Sequence, residues 1–494
     1  MSGHPPEKGL AATIRATPGI PCRPWPRHIV SPERWAALPG QPGLALAALW
    51  ADGHAVHALL RDAEGMLAVS VAVVDGRYPA LSPGWPAAGL FERAIADLWG
   101  HAATEARPWL DHGAWTVTTP LIARPPARAG APPQVDFAEA PGLDQMKLGP
   151  LAGLMAPAGQ FRLLLRGPAL VRMEARLGYL HRGIPALMRG KSPRAASRFA
   201  ARLSGAATVA HSIAFARAAE AACDTMPPPR AITLCAAMAE AERIASHLAD
   251  IDALARAAGM ALVAAPCQRH RAAMLHATGQ GFGHRLMMDV VVPGGLATDL
   301  VPEGAETLRT AVAAFGRALP AIARLSEGLA RRLEGLAVLP PSLAAALGVG
   351  GPVARASGCY ADLRRAPGYR PYHDLNVAPV HETAGDAASR LAVLLGELRD
   401  SARMLRTLLA DLPGGPTIAP LPGGSGEGFG WAEGPHGDIW TWLRLDGGQI
   451  AEIFPRDPGW LVLPAMAAAM TGIDVAELAI ARASFGLSHA GMDL

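Results

Sequence analysis

Apolar positions along the chain change period several times, and each change marks an element. Three runs, GLALAALWA (43–51), AVHALLRD (55–62) and MLAVSVAVVDG (66–76), are separated by Asp-Gly and Glu-Gly pairs and predict a meander of short strands. Next, Phe91, Ile95, Leu98 and Trp99 fall on one helical stripe over 87–99, with Gly100 as the stop. Together they predict a small α+β module over 31–120, after a flexible lead-in at 1–30 rich in Pro, Gly and Arg. A Pro/Ala-rich stretch at 121–145 reads as a linker to a second domain over 146–494.

The second domain opens with two strands in GQFRLLLRGPALVRMEA (159–175), and then the period turns helical. One long helix is expected over 194–223 and a second over 231–258, entered from Pro227-Pro228-Pro229 and stopped at Gly259. Further helices fit 264–280, 303–333, 386–411 and 459–470. A hairpin turns at Asp446-Gly447-Gly448.

Half of the residues are hydrophobic and 18% are charged, which suits a well-buried globular chain. The net charge of +3 lacks any basic block of the kind that tracks nucleic acid. Five scattered cysteines, with no C-x-x-C pair, offer neither a zinc or iron–sulfur ligand set nor a disulfide framework, and no metal ligands are assigned. No apolar run is long enough to span a bilayer, so no transmembrane segment is expected and any membrane attachment would come through partners. No G-x-G-x-x-G follows a strand, so no dinucleotide site is expected.

Five segments of the second domain carry a resemblance: Leu148-Gly149-Pro150 with Gln160-Phe161-Arg162-Leu163; LGYLHRGIPAL (177–187); PPRAITLCAAMAEAERIASHLADI (228–251); GPVARASGCYADLRR (351–365) with Tyr369 and Tyr372; and AEGPHGDIW (432–440). Their order and spacing resemble the family of the nickel–iron hydrogenase large subunit and the D-type subunit of complex I, in its hydrogenase-4/formate hydrogenlyase branch. The stretch 78–110 resembles the C-type subunit of the same complexes, and a fusion with the C type ahead of the D type is a trait of that branch. The resemblance implies an α+β fold: a C-type module followed by a mainly helical large-subunit-like domain with small flanking sheets.

It also implies where chemistry would sit. The family holds nickel and iron with two C-x-x-C pairs, because thiolates suit those metals. Here Ser204 and Ala207 occupy the first pair and Ser488 and Gly491 the second, so a nickel–iron centre is expected to be absent. In complex I the vacated cavity receives a quinone, held by a His in the first hairpin and a Tyr. Here the hairpin 149–157 has no His, and Phe199 or Gly205 stands at the Tyr position. A quinone remains a candidate ligand, with Ser204, His211, Ser488 and His489 as cavity residues. His181, Arg182 and Arg202 are candidates for lining the cavity or facing a partner's cluster, against the alternative of a structural turn. Glu240, Arg243 and His247 share one helix face, either as a proton relay or as an ion pair that stiffens the core.

The implied role is that of one component of an energy-converting, hydrogenase-related oxidoreductase of the NADH:quinone type. The partners would be a small iron–sulfur subunit, a ferredoxin-like subunit and antiporter-like membrane subunits, with this chain peripheral on the cytoplasmic face. The alternative is a non-catalytic structural or coupling role in that complex.

Overall fold

A computed structural model describes residues 9–106, 140–150, 158–378 and 380–494. The chain begins with α1 (Leu10–Arg15), β1 (Arg27–Ile29) and α2 (Pro32–Ala36), followed by the meander β2 (Ala45–Ala51), β3 (Ala55–Asp62) and β4 (Gly65–Ala72). β1 joins the meander parallel to β4, giving the order β1-β4-β3-β2. β5 (Arg77–Pro79) and β6 (Ala102–Thr104) flank α3 (Ala88–Trp99), whose C-cap Gly100 takes the left-handed conformation that glycine adopts at low cost. Residues 9–30 are therefore not the loose lead-in that composition suggests. Ile14 and Cys22 are buried, and Arg27 donates to Glu427 at 2.5 and 2.9 Å, far across the chain. The stretch read as a linker lies outside the described residues up to 139, and at its end Asp144 already enters β7 (Asp144–Leu148).

β7 pairs with the hairpin β8 (Gln160–Arg166) and β9 (Ala169–Arg176). The short helix α4 (Ile184–Met188) leads to α5 (Pro193–Ala200), capped by Ser192, and α6 (Thr208–Cys223). The single helix expected over 194–223 is thus broken at 201–207. The carbonyls of Arg202 and Leu203 accept from the Arg182 guanidinium instead of continuing a helical ladder. The restart of α6 is capped by the Glu242 carboxylate, which accepts from the amides of Val209 and Ala210 at 2.7 and 3.0 Å. The break puts Ser204 and Ala207 on a loop, where they face across to the C-terminal segment.

Four long helices follow: α7 (Pro229–Ala257), α8 (Ala261–Phe282), α9 (Pro302–Leu333) and, further on, α12 (Ala387–Ala410). α7 packs on α8 and α12, and α9 packs on both of those. Between them lie the small ribbon β10 (Val291–Val292) and β11 (Gly295–Leu296) and the short helices α10 (Pro341–Ala346) and α11 (Gly351–Ala356). The C-terminal sheet comprises β12 (Gly426–Gly434), β13 (Gly437–Asp446) and β14 (Gln449–Arg456), followed by α13 (Gly459–Ala469) and α14 (Leu478–Ala483).

α6 lies directly on β12, and the sequence explains how. Gly426, Gly428 and Gly430 share one face of the strand; a Cβ on each would come within 2.0–2.3 Å of the carbonyls of Ala222, Ala218 and Ala214. Hydrogen on the strand and methyl on the helix let the two backbones touch. The N-terminal module seals the far side of this sheet: Trp50 stacks on Phe454 at 5.9 Å and Phe91 on Trp460 at 4.8 Å. Buried side chains of both modules form one continuous core.

Candidate functional site

The loop after α5 and the segment after α14 meet. Ser204, Ala207, Leu487 and Ser488 line one cleft with His436, Asp457 and Gly459. That cleft leaves only about 10 Å³, the room of roughly one water. Its floor is occupied: His211, at the start of α6, is buried with Nε2 2.9 Å from Asp457 Oδ2. A Cβ at Gly491 would sit 2.3 Å from the same carboxylate oxygen. A nickel–iron centre does not fit these residues. Hydroxyl, methyl and hydrogen stand where thiolates are required, and the Asp457 carboxylate fills the space beside them.

The other candidates bound the cleft without entering it. His489 points back toward the β7–β8 connection, with Nε2 3.0 Å from the Ala158 carbonyl and its ring edge-on to Phe161. His181 Nδ1 lies 2.7 Å from the Asp493 carbonyl, while the Asp493 carboxylate accepts from the amides of Gly178 and Leu180. Arg182 spans the rim and donates to the carbonyls of Arg202, Leu203 and Ala490. Arg202 is exposed and makes a two-pronged pair with Asp289 at 2.5 and 2.8 Å. Arg182 thus ties the two loops together, His181 holds the C-terminal segment, and Arg202 presents charge at the surface.

Inward from the cleft runs a chain of charged groups that largely passes through α7. His436 lines the cleft and lies 2.9 Å from Asp250. Burial opposes charge on both, yet Asp250 holds the imidazole pKa above its usual value, and His436 and His247 bring Asp250 down to about 2. Asp250 lies 3.8 Å from His247 Nδ1, and His247 Nε2 lies 2.9 Å from Glu397. Glu397 pairs with Arg355 at 2.7 Å, and Arg355 with Glu433 at 2.9 Å. Arg364 pairs with Asp362 at 2.7 Å and with Glu240 at 3.3 Å, and Glu240 accepts from Tyr372 at 2.7 Å and Ser401 at 2.6 Å. Arg243 donates to the carbonyls of Glu433 and Gly434 and lies 3.5 Å from Glu240.

Burial, with Asp362 reinforcing it, raises the Glu433 pKa against Arg355, whereas Arg355, His247 and Arg243 overcome burial and hold Glu397 well below the usual carboxylate range. The cluster therefore mixes a carboxyl poised to take a proton with carboxylates that stay ionised. Glu240, Arg243 and His247 are all part of it. Asp457, Asp250, Glu397 and Glu242 are site residues that the sequence reading passed over. Glu397 shares its helix stripe with Arg390, Asp400 and Ser401, a polar line among leucines, whereas Asp457 carries no comparable local mark.

Comparison with known proteins agrees with this architecture. Residues 182–255 match the family described as nickel-dependent hydrogenase, and 258–423 match the 49 Kd subunit of respiratory-chain NADH dehydrogenase. The chain is 31% identical to a D-type subunit of NADH-quinone oxidoreductase from Salinispora arenicola, over 56% of this chain and 74% of that one. It is 27% identical to the membrane-bound hydrogenase subunit alpha of Pyrococcus furiosus, over 69% and 85% of the two chains. A chain in the structure of an archaeal membrane-bound sulfane sulfur reductase, a respiratory membrane complex, shares the fold at a TM-score of 0.67 and 21% identity, over 71% of this chain and 98% of that one. The α+β body, the paired loops and these relatives together make the chain a member of the family that unites the hydrogenase large subunit with the 49 Kd subunit of complex I.

Proposed function

We propose that this chain is a coupling subunit of a membrane-associated, hydrogenase-related oxidoreductase complex. It would pack, on the cytoplasmic side, against a small iron–sulfur subunit through the face that carries Arg182 and Arg202. It answers that partner's redox changes through the chain from His436 to Glu240 rather than turning over a substrate in its own metal cavity. No described helix is long and apolar enough to cross a membrane, so attachment rests on antiporter-like membrane subunits.

One contrast carries this reading. The Ser204/Ser488 cleft is narrowed to the room of one water by side chains that include Asp457, which His211 holds from behind, while a continuous ionic chain begins at its edge. A quinone ring is far larger than one water, so reduction of a quinone at this cleft would require the His211–Asp457 pair to part.

The test uses the assembled complex in inverted membrane vesicles, supplied in turn with ferredoxin, quinone and H2. His436→Gln is expected to leave reduction of the partner's clusters intact and to lower coupled ion transport roughly fivefold or more. Quinone turnover abolished by His211→Gln would place chemistry at the cleft and overturn the coupling role. Sustained H2 turnover by the complex, lost with Ser204→Ala, would do the same.

A further inference from the structure

A second cavity lies on the other half of α6. It has a volume of about 270 Å³, and its walls are mostly apolar: Ile213, Ala216, Ile232, Ala236 and Val291. Arg217 and Glu220 of α6 also line it, with Cys235 of α7 and, from the segment between α11 and α12, Tyr369 and Arg370.

Arg217 is sandwiched between aromatic rings, with its guanidinium carbon 4.6 Å from the Tyr369 ring centre and 4.4 Å from that of Trp431. The two faces of the guanidinium are covered, but its edge is not. Among the described residues nothing accepts a hydrogen bond from it, and its Nε is buried without a partner. Buried polar groups in native proteins are almost always partnered, and an Arg fork matches a carboxylate by geometry. Glu220 accepts from the Gly294 amide at 2.9 Å. Burial pushes its pKa up to about 7, against the pull of Gly294 and Arg217. Near neutral pH it is therefore able to hold a proton and donate.

We infer that this pocket binds a small monocarboxylate with an apolar body, its carboxylate on the edge of Arg217 and its hydrocarbon among Ile213, Ile232 and Val291. A phosphate would leave the apolar walls unfilled. A neutral hydrocarbon would leave Arg217 desolvated and unpaired. A second anion beside Glu220 raises the cost of ionising it, so binding takes up a proton. Met226, an exposed apolar side chain at the mouth, fits the entry of such a molecule.

Octanoate is the probe, measured by isothermal titration on the folded full-length chain or the assembled complex in buffers of different ionisation enthalpy. The expected result is one site, about tenfold tighter at pH 6 than at pH 8, as uptake of one proton by a group titrating near 7 requires. Glu220→Gln is expected to bind octanoate with that pH dependence removed. Arg217→Gln and, independently, Ala236→Leu, which fills the cavity, are expected to weaken binding at least tenfold. Absence of octanoate binding by the folded wild type overturns the inference. So does binding that persists in the folded Ala236→Leu variant, which places the ligand elsewhere. Neither outcome touches the coupling role, which rests on the ionic chain from His436 to Glu240 and not on this pocket.

Discussion

α6 and α7 hold two regions drawn from the same family segments, and those regions differ in character. At the Ser204/Ser488 cleft the positions where the family resemblance puts metal ligands carry small neutral groups, and Asp457, held by His211, borders the gap. A few residues further in, the ionisable cluster of Glu240, Arg243, His247, Arg355, Asp362, Arg364, Glu397 and Glu433 is almost fully buried. Stability alone does not account for so many buried ionisable groups. Burying ions costs several kcal/mol apiece after relaxation, and well-packed apolar side chains would often serve as well. What such a cluster offers that an apolar core does not is a set of linked groups whose protons and charges can shift together. The cleft is closed by packing, whereas the ionic chain is the part of the molecule on which the proposed coupling role rests.

The sharpest way to break the comparison is to make one small change in each region. Arg355 pairs with both Glu397 and Glu433 and lies 3.7 Å from Asp362. Arg355→Met strands these carboxylates in the core and is expected to cost about 3–5 kcal/mol, read by urea denaturation. Ser204→Ala removes a hydroxyl that makes no side-chain hydrogen bond to the described residues, and is expected to cost under about 1 kcal/mol. Equal losses at the two sites would erase the distinction.

The motif residues that made the family legible are largely the members of that cluster. Glu240, Arg243 and His247 come from one segment, Arg355, Asp362 and Arg364 from another, and Glu433 and His436 from a third, and the fold gathers all of them around α7. Sequence spacing placed each on its element but could not say that they converge, because their contacts span about 40 to 190 residues. The break between α5 and α6 was invisible to periodicity for a related reason. It is made by Arg182 and Glu242, from outside the segment. The state of the cleft was half legible. The missing thiolates stand in the sequence, but the filling residue Asp457 does not advertise itself. The order of residues 9–30 was misread because Pro- and Gly-rich composition looks the same whether or not Arg27 has a Glu427 to meet.

A second intervention tests whether the cleft is closed by Asp457. Gly491→Ala drives a methyl to 2.3 Å from that carboxylate and is expected to cost about 1–3 kcal/mol as overpacking. Combining it with Asp457→Ala should recover part of the loss, a coupling that a double-mutant cycle in chemical denaturation reads directly. Strict additivity would mean that the two groups do not compete for the same space, and the account of the filled cleft would fail.

The smallest effect concerns the rim. Arg182 donates to three carbonyls from both loops, so Arg182→Ala should free the loops from each other while leaving the ionic chain untouched. The side chain is exposed and water replaces much of what is lost, so the expected global cost is about 1–2 kcal/mol. The local signature is larger: amide exchange should accelerate at 201–207 and 486–494 and stay unchanged along the middle of α7. Arg182→Lys should behave like the alanine variant, because one ammonium cannot reach three carbonyls on two segments as a planar fork does. Arg202→Ala, which removes only an exposed pair with Asp289, should leave exchange in both loops near the wild-type rate. If Arg202→Ala loosened the loops as much as Arg182→Ala, surface charge rather than the Arg182 fork would be what holds the cleft shut.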